Sequence, residues 1–476
     1  MRKTRIKIVL TEGLVGGAWH CVTLSFVIRK RGLIVMNTDQ DVCEYEENNR
    51  EAEIDVAKVY HFPNEIVIKK YNGVYLVIYT EGILWLVLED EDQLKAFQLL
   101  REGNSIEQTL QWVDEESVIS VITQLEAKDF EHPIINENVD RNIYIYLTNN
   151  CNQRCRHCYM FAGEVEFKEL SNDQWISVLD DFKKNGGEGV TFTGGEVTVY
   201  KGFDKIIRHA HDIGLRVTVL SNGILWDKGI ISELGDSIDE IQISIDGYDK
   251  ESYYQVRQYD GFDKAIQCVK DFCEAGTKVS IAVTPLYDRL SEFTEKFEPL
   301  ARELMDSYPQ VFIKFNLELI PGREIKISNE ENKDYKRTLR ALVERLYPDF
   351  YTETFVLNYE NHVLRRNCGF GGVSIAADGR VFWCNRVHEL DSKINILGTN
   401  FSELFEESDK IMKDTSVDNT TCCKKCDVRY ICGGGCRLKY EGIRQVGQHE
   451  GEWEYECEGK DIIYDKMIKS NEFFFE

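Results

Sequence analysis

The chain has 476 residues, too many for one ordinary core, so two or three domains are expected. At 43% hydrophobic and 11% aromatic residues it can bury substantial cores, which excludes global disorder. Its 57 basic against 82 acidic residues leave a formal charge of −25, and such a field gives no reason to seek nucleic acid or an anionic membrane.

The start, MRKTRIKIVLTEGL, is basic and then apolar, but Glu12 interrupts it too early for a signal peptide and no small-residue cleavage site follows. No run approaches the roughly 18 to 20 apolar residues of a membrane helix. A soluble, cytoplasmic protein is expected. Its 15 cysteines then sit in a reducing compartment, where clustered cysteines bind metal or do catalysis more often than they form disulfides.

The first 55 residues include a strand-rich piece, WHCVTLSFVIRKRGLIVM, with no further reading. Next, EIVIKKY, GVYLVIYTEG and ILWLVLED read as short strands, and EDQLKAFQLLREG, SIEQTLQWV and ESVISVITQLEAKDF carry apolar residues at helical spacing. The polar segment HPIINENVDR, 132–141, reads as a linker. Beyond it, strands at NIYIYLT, GVTFTG, RVTVLSNG, EIQISID, KVSIAVTP and FIKFNLELI alternate with helices at SNDQWISVLDDFKKN, FDKIIRHAHDIG, DKAIQCVKDFCEAG and EFTEKFEPLARELMDSY. Six strands with crossover helices imply an α/β fold with a parallel sheet, open or curved into a partial barrel, whose ligands sit at the C-terminal strand ends. A charged, helix-biased connector covers 323–367, and from Cys368 the chain turns rich in cysteine and glycine, ending in an acidic helical tail.

The first of the six strands runs into CNQRCRHCYM, which sets Cys151, Cys155 and Cys158 on one loop. Three thiolates hold three corners of a 4Fe–4S cube, leaving the fourth iron open to chelate a small molecule. A zinc site completed by His157 is the alternative on spacing alone. The end of the second strand, VTFTGGEV, argues for the cube: Gly194 and Gly195 let the backbone approach a ligand closely, and Glu196 adds negative charge for an ammonium group.

Through CNQRCRHC and TGGE the sequence resembles the radical SAM superfamily over about residues 142–322. The resemblance implies a partial (β/α)6 TIM-like barrel, a catalytic 4Fe–4S cluster on Cys151, Cys155 and Cys158, and S-adenosylmethionine as cofactor. It implies that Tyr159 lies against the adenine and that Gly194, Gly195 and Glu196 receive the methionine amino group. SNG, residues 221–223 with Asn222, resembles the third-strand segment near the ligand. SIDG with a later arginine (Ser244, Asp246, Arg257) resembles the element that binds carboxylate and ribose. In the bland alternatives Arg257 is a surface arginine and Ser244 a strand hydroxyl satisfied by backbone.

Further on stand Cys368, Cys384, Cys423, Cys426, Cys432, Cys436 and Cys457, with Gly379 before Cys384. Two zinc ribbons are one reading. The stretch resembles a SPASM domain, taken as 368–476 with its C-terminal helix. That resemblance implies two auxiliary 4Fe–4S clusters: an outer one on Cys423, Cys426, Cys432 and Cys457, and an inner one on Cys368, Cys384 and Cys436. Three clusters have twelve corners and ten thiolates are assigned, so the inner cluster either keeps an open iron for a substrate thiolate or is completed by His362 or Cys422. Cys422 also leaves the assignment of Cys423 uncertain by one residue. Cys21, Cys43, Cys268 and Cys273 read as core thiols.

The three strands and three helices at about 60–130, within an N-terminal domain of 1–131, resemble in pattern the winged-helix-like PqqD domain that docks the leader of a ribosomally made precursor peptide. An unpaired sheet edge suits that role, because it can accept an extended leader as an extra strand. The plain alternative is an accessory or dimerisation domain.

Together these resemblances imply a radical SAM peptide maturase: an oxidoreductase that installs crosslinks, cysteine thioethers foremost, by 5′-deoxyadenosyl-radical hydrogen abstraction. It would draw electrons from a reductant such as flavodoxin or ferredoxin. Carbon–carbon crosslinking, epimerisation and formylglycine formation on sulfatases use the same cysteines. A non-enzymatic multi-cluster electron carrier is opposed by TGGE, SNG and SIDG.

Overall fold

The computed structural model describes residues 5–15, 18–20, 24–28, 48–133, 141–164, 168–348, 363–386, 391–443, 451–455, 457 and 459–475. Cys21, Cys43, His362 and most of the linker at 132–141 lie outside them. The N-terminal segment is a sheet centred on β1 (Arg5–Val15), which pairs antiparallel with β2 (Ala18–His20), β3 (Leu24–Ile28) and β4 (Asn48–Asp55).

A second antiparallel sheet follows in the order β5 (Ile66–Tyr71), β6 (Val74–Tyr79), β7 (Trp85–Leu88). Its helices are α1 (Glu91–Arg101), α2 (Ile106–Thr109) and α3 (Glu115–Ala127). Side chains alternate across a strand, so each strand feeds two cores. Val77, Leu86 and Leu88 pack with Phe97, Leu100 and Ile122 of the helices. Leu76, Ile78, Trp85 and Val87 pack with Val428, Tyr430, Tyr464 and Met467 of the C-terminal region.

The six expected parallel strands form: β8 (Asn142–Thr148), β9 (Gly189–Gly194), β10 (Arg216–Ser221), β11 (Glu240–Ser244), β12 (Lys278–Val283) and β13 (Val311–Phe315), side by side in chain order. Between them run α4 (Asn172–Lys184), α5 (Phe203–Asp212), α6 (Lys228–Leu234), α7 (Lys250–Arg257), α8 (Phe262–Glu274) and α9 (Leu290–Ser307). After β13 comes α10 (Asn329–Leu346). Four helices open on a side-chain cap of the usual kind: Ser171 and Ser328 in capping boxes, Asp227 and Asp249 on α6 and α7. Ile143, Phe192, Val219, Ile243 and Ile281 are fully buried against the helices, as a sheet covered on its outer face requires.

The sheet does not stop at β8. β14 (Ser374–Ile375) pairs parallel with β8, and β15 (Arg380–Phe382) and β16 (Asp391–Asn395) continue antiparallel, so the cysteine-rich segment is built onto the barrel edge. The chain ends with α11 (Phe401–Asp414), the single turn α12 (Arg429–Cys432) and α13 (Lys460–Phe475). Among the described residues no helix is long and apolar enough to cross a membrane.

Candidate active site at the strand ends

The three-cysteine loop leaves the C-terminal end of β8 and meets the ends of three neighbouring strands. At β9 the two glycines have a concrete reason. A Cβ on Gly194, whose φ is +137°, would sit 2.4 Å from the Thr148 carbonyl oxygen, and one on Gly195 2.2 Å from that of Asn150. The space that the sequence reading opened for a ligand is thus used first by the cysteine loop. Gly195 N donates to Thr148 O at 2.8 Å and Glu196 N to Asn150 O at 3.0 Å.

Glu196 is buried, and its carboxylate accepts from Ser221 Oγ and Asn222 N, both at 2.7 Å, and from Thr198 Oγ1 at 2.7 Å. It ties the end of β9 to the end of β10. Asn222 reaches on, its Nδ2 donating to Asn152 Oδ1 of the loop at 2.7 Å.

At β11, Asp246 is 1% exposed and accepts from Arg257 Nε at 2.6 Å and from Thr284 N at 2.6 Å. Arg257 is buried and also donates to Gln153 Oε1, so it is not a surface arginine. Ser244 closes β11 half-buried. Tyr159 directs its hydroxyl at Asn385 O, where Tyr146 of β8 also donates. A cavity of about 390 Å³ opens beside these tyrosines, between the loop and the β14–β15 turn.

Two contributions escaped the sequence reading. Arg323 Nη1 donates to Cys155 O at 2.8 Å and Nη2 to Ala162 O at 2.9 Å, while its own N donates to Cys158 O at 3.1 Å. A Cβ on Gly322 would sit 2.6 Å from His157 O. Residues 322–324 therefore line the cysteine loop, across the boundary drawn between core and connector. The Pro-Gly turn at 321–322 is the only signal, and it reads as a boundary as readily as a clamp. Gln153 carries no signal at all, being one more polar residue in a loop.

Cys151, Cys155 and Cys158 would each take a different iron of a cube, and that donor set fits a 4Fe–4S cluster. His157 sits 3.4 Å from Asp246 through Nε2, and burial pushes its imidazolium down to about 4. Burial likewise pushes the Cys151 thiol up to about 12. Asn152 Nδ2 is buried without a partner among the described residues, a donor left for a ligand in that loop.

In the C-terminal region the cysteines fall into two neighbourhoods. Burial raises the Cys384 thiol, and Cys436 and Cys368 raise it further. Burial also raises Cys423, with Cys422, Cys432 and Cys457 adding to it, and Cys426 feels Cys432. Cys422 Sγ lies 3.7 Å from Cys423 Sγ, so both remain candidates for one corner. Cys268 and Cys273 are buried in the barrel core on α8.

Residues 145–304 match the family model of the radical SAM superfamily, and the chain therefore carries a radical SAM domain. The chain is 34% identical over 161 residues to the sporulation killing factor maturation protein SkfB of Bacillus subtilis, covering 33% of this chain and 38% of that protein. It is 25% identical over 338 residues to the Fe-coproporphyrin III synthase of Methanosarcina barkeri, covering 62% of this chain and 83% of that one. The solved structure of native anSMEcpe with bound AdoMet superposes with a TM-score of 0.54 at 19% identity, over 69% of this chain and 96% of that one, which establishes the shared fold.

Proposed function

We propose that the chain is a radical SAM peptide maturase that forms crosslinks, cysteine thioethers foremost, in a ribosomally made precursor peptide. The observation that supports this reading is the three-thiol neighbourhood of Cys368, Cys384 and Cys436: the other described cysteines group elsewhere and His362 lies outside the described residues, and we read the fourth corner as one for a thiolate of the substrate. The 34% identity to a protein named for maturation supports it. The outer group, Cys423, Cys426, Cys432 and Cys457, is read as the second auxiliary cluster of a SPASM domain.

When bound, the catalytic cluster and S-adenosylmethionine supply a carbon radical able to take hydrogen from an unactivated C–H bond. The chain's own residues do the rest. Cys151, Cys155 and Cys158 hold the cluster, and Arg323 pins their loop by two of its carbonyls. Glu196 and Asn222 fix two strand ends beside it, and Asp246 fixes Arg257, whose guanidinium faces the loop. Glu196 and the backbone at 194–195 would receive the amino group of the cofactor, Ser244 and Arg257 would hold its carboxylate and ribose, and Tyr159 its adenine.

The leader is read by the sheet β5–β6–β7. Gln124 of α3 both donates to Val87 O at 2.8 Å and accepts from Val87 N at 3.0 Å, as a residue of a neighbouring strand would. Lys128 donates to Trp85 O at 3.0 Å. A leader that adds to β7 therefore displaces Gln124 first.

The test is a product mass. A cysteine-containing precursor peptide is incubated with the anaerobically reconstituted protein, S-adenosylmethionine and a reductant, and free thiols are then blocked. Loss of two hydrogens per crosslink with one thiol fewer to block supports a thioether. The same loss with every thiol blockable leaves carbon–carbon crosslinking. A porphyrin-modifying reading is favoured by the longer alignment to the Fe-coproporphyrin III synthase. An unchanged peptide beside formation of iron coproporphyrin III from a tetrapyrrole precursor would select it.

A further inference from the structure

A cleft of about 1250 Å³ lies between α10 and the cysteine-rich region. On one wall α10 presents Asn332, Lys336, Arg340 and Glu344, residues four apart that share a helix face. Lys439 and Tyr455 face them, and Glu318, just past the end of β13, lies between. We propose that this cleft binds an acidic residue of the substrate peptide next to the cysteine that is modified. The inference rests on the peptide-maturase reading and adds to it a substrate preference.

Three observations carry it. First, in a chain of formal charge −25, Lys336, Arg340 and Lys439 bring three cations to one cavity, and among the described residues none of them forms an ion pair. The ion pairs nearest the cleft leave them aside: Arg386 faces Glu318 at 3.6 Å, and Lys424 binds Glu452 at 2.5 Å. Second, Arg340 on the cleft wall has its Nε buried with no hydrogen-bond partner among the described residues, so the guanidinium keeps donor capacity for a carboxylate. Third, the cleft lies on the side of Cys436, one of the inner thiols. Lys336 and Glu318 both lie within electrostatic reach of Cys436. A peptide held by its carboxylate at Lys336 thus has its next residues on the side of Cys436.

The walls also limit the preference. Glu344 stands one turn beyond Arg340, and Glu441 and Glu454 also line the cleft beside the cations, Lys333 and Arg337 among them. One or two carboxylates fit there. A long polyanionic tract would meet the glutamates.

The experiment uses the anaerobically reconstituted full chain and two fluorescein-labelled synthetic peptides, Gly-Glu-Cys-Glu-Gly and Gly-Gln-Cys-Gln-Gly, with anisotropy as the readout. The glutamate peptide should bind about fivefold more tightly, roughly the worth of one well-placed ion pair, and 0.5 M salt should erase the difference. Lys336→Gln with Lys439→Gln should bring the glutamate peptide to the affinity of the glutamine peptide. Both side chains are exposed, so the fold tolerates the change. Lys336→Arg with Lys439→Arg should restore the preference. Equal binding of the two peptides, or a variant that weakens both alike, would overturn the charge preference and leave the peptide reading standing. Silence of both peptides beside tight binding of coproporphyrin III, whose carboxylates suit the same cations, would overturn the maturase reading as well.

Discussion

The two cysteine-bearing regions are held in opposite ways. The loop of Cys151, Cys155 and Cys158 is fixed by strand ends: backbone bonds from Gly195 and Glu196, a buried carboxylate at Glu196, and the Asp246–Arg257 pair. The C-terminal thiols sit where regular structure is sparse, and one guanidinium does much of the holding. Arg437 is 1% exposed and donates to Thr415 O at 3.0 Å, Gly433 O and Gly435 O at 2.8 Å, and Arg365 O at 3.0 Å. Among the described residues no carboxylate pairs with it, and it lies beside Cys436 and near Cys432, whose thiol it lowers against the dominant effect of burial. A barrel can preform its site before the ligand arrives. On the proposed reading, a segment of turns would borrow its rigidity from the clusters and from a buried charge that suits anionic thiolates.

That contrast can be broken in order of size. Cys155→Ala should abolish 5′-deoxyadenosine formation while the far-ultraviolet circular dichroism stays unchanged, because the strands hold the loop without the thiol. Removing iron by chelation under reducing conditions should raise amide exchange across residues 368–457 far more than in β8–β13. Equal loosening of both regions would erase the distinction. Arg437→Met leaves four carbonyls without their donor and should cost about 3 kcal/mol, read from denaturant midpoints of the apo chain. Gly195→Ala presses a methyl group onto the Asn150 carbonyl and should cost about 1 to 3 kcal/mol, with S-adenosylmethionine affinity falling in step. Gln124→Ala is the smallest: it frees Val87 N and O, costs about 1 kcal/mol, and tightens leader binding if the leader adds to β7.

Much of the barrel is legible in the sequence, because apolar runs such as GVTFTG and KVSIAV are bounded by turns and alternate with capped amphipathic helices. The elements that escape are short or polar. α6 and α7 span only 7 and 8 residues, and α7, KESYYQVR, shows no apolar stripe of its own. β14 has 2 residues and β15 has 3, too few for any period, so the growth of the barrel sheet into the cysteine-rich region stays hidden. The site divides similarly. Cys151, Gly194 and Glu196 stand in a recognisable spacing. Arg323, Gln124 and Arg437 act through single contacts across long sequence separations, which no local pattern encodes.

The most direct test of the account is an iron count on the anaerobically reconstituted chain and two variants. Three 4Fe–4S clusters require about twelve irons per wild-type chain, about eight after Cys155→Ala, and about eight after Cys384→Ala. Four irons in the wild type, lost with Cys155→Ala and untouched by Cys384→Ala, would contradict it: the C-terminal thiols would then hold no cluster, and no corner would stand open for a substrate cysteine.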